Sequence, residues 1–198
     1  PTTSDAYVSQ LRQEEGTLGF DGVVKFDGSG DYLTFNGSPI DFGTGDFTVD
    51  AFVYHTGGND DTIISDQTGF TFTYGNNGKL RFYHANGSNV VDATVNFISY
   101  RWVHVAVVRS SNTLTFYQDG NAVGSHAYNN DIGTNSTTTY IGKYFGGTVQ
   151  DFDGFVSNLR VIQGTALYTA NFTAPTEPLT NVTNTKLLCC NSSTSATA

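Results

Sequence analysis

The chain has 198 residues, enough for one good-sized domain whose core needs no disulfide staples. Its 22 Gly, 15 Phe and 11 Tyr, with no Met and three Glu, favour strands and turns over helices. A net charge of −9, with 9 Lys plus Arg and no basic cluster, excludes nucleic acid and anionic membrane surfaces as partners and suits a cation such as Ca2+. No apolar run reaches membrane-spanning length. A start at Pro1 in a chain without Met reads as a trimmed N-terminus.

Residues 1–20 read as an N-terminal arm. Asp5 is placed to cap a helix over residues 6–15, with Tyr7, Val8 and Leu11 on one side and Gly16 ending it. Glu14 and Glu15 in the last turn oppose the helix dipole, so the helix is marginal alone. The arm either docks on a neighbouring protein through those apolar residues or frays.

A series of strands and turns follows. Strands are expected over 23–26 and 32–35, around the turn Asp27-Gly28-Ser29-Gly30, and over 46–54, where both faces are partly apolar. Further strands are expected over 62–65, 70–74, 80–84 and 90–95. The strand over 102–109 is the strongest: Val103, Val105 and Val107 share one face, and Trp102, His104, Ala106 and Val108 the other. Residues 113–118 and 122–126 form a hairpin across Asp119-Gly120, a type I′ turn signal. Strands over 138–142, 152–162 and 186–190 close the series. The domain runs over 21–190, with a small polar tail at 191–198. Strand spacing without βαβ alternation predicts an all-β antiparallel two-sheet sandwich of jelly-roll type.

Little chemistry is legible. Glu14 and Glu15 lie in the arm and Glu177 near the end, so no glutamate pair faces across central strands, and Asp50 has no acidic neighbour two residues along. His55, His84, His104 and His126 show no metal-ligand spacing, and no nucleophile elbow or phosphate loop occurs. Cys189 and Cys190 are adjacent and read as two reduced thiols, because a bridge between neighbours closes a strained eight-membered ring. The turn at 27–31 and the segment Asp151-Phe152-Asp153-Gly154 each offer two carboxylates, which cap turns or, if the two meet, hold one structural Ca2+. For sugar contacts, aromatics expected on turns are Tyr54 with His55, Tyr83 with His84, Tyr128 with Asn129 and Asn130, and Tyr144.

The segments 26–33 (FDGSGDYL) and 46–54 (DFTVDAFVY) resemble the opening of a concanavalin A-like, laminin G-like lectin domain. Residues 102–109 (WVHVAVVR), 114–120 (LTFYQDG) and 153–161 (DGFVSNLRV) resemble its central strand, next hairpin and closing strand. The segments 164–173 (GTALYTANFT) and 185–190 (TKLLCC) resemble the C-terminal part of such domains in structural proteins of marine tailed phages, cyanophages especially. The resemblance implies a jelly roll that binds sugars or proteins at a rim of loops, often beside Ca2+, for which Asp27, Asp31 and Asp153 are the matching positions. It implies a non-catalytic virion surface protein, a capsid decoration or a tail or fibre appendage. Such a protein contacts host-surface glycans or neighbouring virion proteins, and homo-oligomers are compatible with that role. The alternative is a secreted carbohydrate-binding module of a larger protein. The paired catalytic acids of the glucanase branch are missing.

Overall fold

The computed structural model describes residues 22–37, 39–57, 60–75, 77–84, 89–133, 136–146 and 150–192. The expected helix and the docking candidates Tyr7, Val8 and Leu11 lie outside the described residues.

Thirteen strands are present: β1 (Val24–Asp27), β2 (Leu33–Asn36), β3 (Phe47–His55), β4 (Asp60–Asp66), β5 (Phe70–Gly75), β6 (Lys79–His84), β7 (Asn89–Thr94), β8 (Trp102–Ser110), β9 (Thr113–Gln118), β10 (Asn121–Ala127), β11 (Thr138–Ile141), β12 (Asp153–Gln163) and β13 (Thr185–Cys189). Each expected strand is found within two residues of its expected bounds. The larger sheet runs β1-β12-β3-β8-β9-β10, with β13 also pairing β12, and the smaller runs β2-β11-β4-β5-β6-β7. All these pairs are antiparallel.

The inner faces of the two sheets make one core. Strand alternation sends Phe47, Val49, Ala51 and Val53 of β3 and Val103, Val105 and Val107 of β8 into it, against Phe70, Phe72, Leu80 and Phe82 of the smaller sheet. Each such side chain contributes about 1.5–3 kcal/mol by leaving water. The expected division of β8 holds, and its other face explains why β3 reads apolar on both sides. Phe52, Tyr54, Trp102, Phe155 and Leu188 are buried on the outer face of the larger sheet beneath Leu179. Ala106, Val108 and Tyr117 are buried there against Ala166, Tyr168 and Phe172. The segment after β12 is thus a strap that forms a third layer.

Two features lock loops to this frame. Arg109 is fully buried, and backbone carbonyls satisfy its guanidinium: Gly45 at 2.7 Å, Gly43 at 2.7 Å, Asn130 at 2.9 Å and Phe42 at 3.2 Å. The β9–β10 turn places Asp119 at φ 47° and Gly120 at φ 77°, both positive as a type I′ turn requires.

Candidate functional site

The strap decides which surface is open. It is fastened along its length. Thr48 donates to the Thr165 carbonyl (3.0 Å) and accepts from Leu167 N–H (2.9 Å). Phe172 N–H donates to Gly120 (2.9 Å), Ala122 N–H to the Asn171 side chain (2.9 Å), and Leu179 N–H to the Asn158 side chain (2.8 Å). A buried polar cluster lies under its middle. Arg160 donates to Asp50 through Nε (3.0 Å) and an Nη (2.7 Å), and Tyr168 donates its hydroxyl to the same carboxylate (2.8 Å). His104 Nε2 stands 3.6 Å away, beyond hydrogen-bond length. Burial pushes the Asp50 carboxyl up, but His104 and Arg160 outweigh it and hold it below the ordinary carboxylate value. Burial, then the Asp50 charge, pushes the Tyr168 phenol well up, so it stays a donor. This cluster is buried beneath the strap and ties Tyr168 to β3 and β12.

The smaller sheet carries a different outer face. Because Phe70, Phe72, Leu80, Phe82 and Ile141 face the core, their strand neighbours face out. Register places Thr34, Tyr140, Ser65, Thr71, Tyr83 and Val90 in one row straight across six strands. Three strand spacings separate Tyr140 from Tyr83, about 14 Å. Ser65 Oγ donates to the Lys143 carbonyl (2.7 Å), so the chain after β11 crosses the middle of the row and divides it.

On one side lies an aromatic platform. Tyr32, 45% exposed, meets the half-buried Tyr140 at a centroid distance of 5.8 Å and 59°. Lys143 Nζ sits 4.5 Å above the Tyr32 ring. On the other side a shallow notch is lined by Asp66, Thr68, Gly69, Thr71, Tyr83 and Phe145 among others. Its enclosed space, about 10 Å³, is roughly the room one water needs, so this part of the face is a surface depression rather than a pocket.

The sequence-predicted sugar residues divide accordingly. Tyr83 and Tyr144 are half-buried on the surface, Tyr83 on this face and Tyr144 tilted against Phe145 at a centroid distance of 4.8 Å beside the notch. The exposure expected for Tyr54, His55, His84 and Tyr128 is not found. Tyr54 is 8% exposed, wedged between Trp102 and Phe155 under the strap. His55 is 1% exposed in the core, with Nε2 2.8 Å from Asp61 and its ring against Tyr74, Phe97 and Phe152. His84 is buried with its Nδ1 3.1 Å from the Tyr128 hydroxyl, and Tyr128 is buried with it. These residues end strands, and the neighbouring layer covers strand ends that a sequence pattern reads as turn surface. Tyr32, Tyr140 and Lys143 were not predicted. Tyr140 alternates with core-facing Ile141, which signals an outward ring, but its pairing with Tyr32 depends on the distant β2–β11 contact.

For the predicted cation site, the structure brings Asp27 and Asp153 together as cross-strand partners on β1 and β12. One oxygen of each accepts a hydrogen bond: Asp27 Oδ1 from Ser29 N–H (2.9 Å), and Asp153 Oδ1 from the Thr56 hydroxyl (2.7 Å). Asp151 Oδ2, not Asp31, reaches the glycine-rich turn, accepting from Gly30 N–H (2.9 Å). Among the described residues no three His, Cys, Asp or Glu side chains converge to hold a metal ion.

Two packed antiparallel sheets in this strand order define a lectin-type jelly-roll sandwich. The chain belongs to the concanavalin A-like lectin/glucanases superfamily, whose laminin G-like profile matches residues 27–169. Solved structures share the fold at low identity. The CBM40 of the Ruminococcus gnavus IT-sialidase, bound to α2,3 sialyllactose, matches at 13% identity and a TM-score of 0.63 over 77% of this chain and 95% of its own. A heptameric SAP-like pentraxin from Limulus polyphemus matches at 19% and 0.59, covering 78% and 82%. Domains LG4-5 of the mouse laminin α1 chain match at 18% and 0.57, covering 83% and 45%. The chain spans less than half of two matched chains, the laminin pair and, at 44%, a Bacteroides ovatus protein. No curated protein sequence matches this chain.

Proposed function

We propose that this domain is a non-catalytic glycan-binding module, displayed on the surface of a tailed-phage particle, that touches host glycans through the outer face of its smaller sheet. The carrying observation is the asymmetry of the two outer faces. The strap closes one, while the other presents Tyr32 and Tyr140 beside Lys143, and Tyr83 and Phe145 beside Thr68. Aromatic rings stack on sugar faces, and the polar groups beside them bond hydroxyls. Lys143 adds a cation suited to an acidic sugar. Absence of catalysis is supported by the sealing of Asp50, and the particle setting by the phage-like pattern of residues 164–173 and 185–190. On a particle, neighbouring capsid or tail proteins are further partners. A binding module of a larger glycan-active protein is the second reading, favoured by the near-complete coverage of an isolated CBM40.

A glycan array tests the reading. The wild type is expected to bind a restricted set of glycans. Tyr32→Ala and Tyr140→Ala are each expected to lose most of that binding with an unchanged melting temperature. An array without hits overturns it. An EDTA arm tests whether calcium beside Asp27 and Asp153 contributes. Mass spectrometry of purified particles decides between a virion protein and a secreted module.

A further inference from the structure

Cys189 and Cys190 end β13, which lies along β12. Successive side chains of a regular strand point to opposite faces, which would keep neighbouring thiols apart. Here Cys190 adopts φ 58°, a left-handed conformation uncommon outside glycine. The chain therefore turns, and the two Sγ atoms lie 3.7 Å apart. Both thiols are free and half-buried.

The surroundings hold this arrangement. The Cys190 carbonyl accepts from Asn158 N–H (3.0 Å) and from Ser157 Oγ (3.3 Å). Asn158 is itself left-handed at φ 52°, in the irregularity where β12 slips its register against β3. The Ser157 hydroxyl also donates to the Gly22 carbonyl. The passing chain lies so close that a Cβ on Gly22 would sit 1.9 Å from Ser192 N. The thiols thus stand at a seam where both ends of the described chain cross the β12 bulge.

We propose that Cys189 and Cys190 form a reversible vicinal dithiol–disulfide couple, oxidised by small-molecule disulfides of the glutathione type. The Cys190 thiolate attacks one sulfur of the oxidant, forming a mixed disulfide and releasing one thiol. The Cys189 thiol then loses its proton and attacks the Cys190 sulfur, which releases the second thiol and closes the Cys189–Cys190 bond. Two thiols are oxidised, one external disulfide is reduced, and two protons pass to the released thiols. The hydrogen bond with Cys190, then burial, raises the Cys189 thiol well above its ordinary value, so Cys190 is the thiol that reacts first, and the second step draws on the 3.7 Å proximity of the two sulfurs. Closing the bond brings the sulfurs to about 2.05 Å. It shifts the Cys190 backbone away from Asn158, and ring strain keeps the product easily reduced. The couple is a labile switch rather than a staple.

The test uses the purified full chain in glutathione buffers of graded composition, quenched by alkylation and read by intact mass. The wild type is expected to pass from two alkylated thiols to none, giving a monomer lighter by two hydrogens that dithiothreitol restores. Cys189→Ser and Cys190→Ser are each expected to stop at a single stable glutathione adduct. Hydrogen exchange at Asn158 N–H is expected to quicken on oxidation of the wild type. As a second probe, phenylarsine oxide should bridge the reduced wild type, releasing one water and blocking alkylation. A wild type that keeps a glutathione adduct, forms disulfide-linked dimers, or stays doubly alkylated in oxidising buffer overturns the proposal, whatever the fate of the variants.

Discussion

Asp50 and Arg160 face each other across β3 and β12, joined by two N–H···O bonds of 3.0 and 2.7 Å on the face the strap covers. Both are buried, so neither charge has water to fall back on. Arg160→Met leaves the Asp50 carboxylate uncompensated and is expected to cost about 3–5 kcal/mol, measured by urea unfolding. The pair also sets a pH dependence. Its carboxyl is held below the ordinary value in the folded state, so its contribution is present above the unfolded carboxyl pKa of about 4. It is lost as pH falls through the lower folded value. Asp50→Asn is expected to flatten the acid limb of the stability profile in that window, although the variant is less stable at neutral pH.

Tyr168→Phe removes the hydroxyl that bonds Asp50 at 2.8 Å and Arg160 at 3.1 Å, and keeps the ring stacked 3.7 Å from Phe172. Hydrogen bonds to charged groups contribute about 1.5–3 kcal/mol, and a loss of that size is expected. Limited proteolysis should then cut within residues 164–178 sooner than elsewhere. Cleavage spread evenly over the chain would show that the strap does not open by itself.

Gly120→Ala tests the fastening of the strap at its far end. Gly120 has φ 77°, and a Cβ there would lie 1.9 Å from the Phe172 carbonyl oxygen. The left-handed backbone alone costs about 1–2 kcal/mol with a side chain, and the clash adds to it. A melting temperature several degrees lower is expected, with faster exchange at Phe172 N–H, which donates to Gly120 at 2.9 Å.

The two tyrosine environments predict opposite phenotypes. Tyr54→Ala opens a hole beside Trp102 and Phe155 and is expected to cost about 3 kcal/mol or more. It should lower glycan binding only in proportion to the folded fraction. Tyr32→Ala removes a largely exposed ring, and its effect on stability should stay within about 0.5 kcal/mol while binding falls. Equal binding losses per folded molecule for both would move the site away from the smaller sheet.

The architecture was legible because its signals are local. Valines at alternate positions of β8 and the Asp119-Gly120 turn mark a strand and a hairpin without knowledge of their partners. The candidate site was not, because it depends on which strands become neighbours. Tyr140 and Tyr83 share a row only through three successive strand pairings, and Tyr54 is hidden by a segment more than a hundred residues away. One clue was available: Asp50 and Arg160 sit in strands apolar on both sides, where a charge survives only with a partner.

The strand order has a consequence for synthesis. β1 finds its partner in β12, and β2 in β11, so the smaller sheet waits for its eleventh strand and the larger for its twelfth. A chain leaving the ribosome carries an unfinished smaller sheet until Ile141 has emerged and an unfinished larger sheet until Gln163 has. Closure comes late in both sheets, and a chain truncated before β12 would leave β1 and one edge of β3 unpaired rather than form a smaller folded domain.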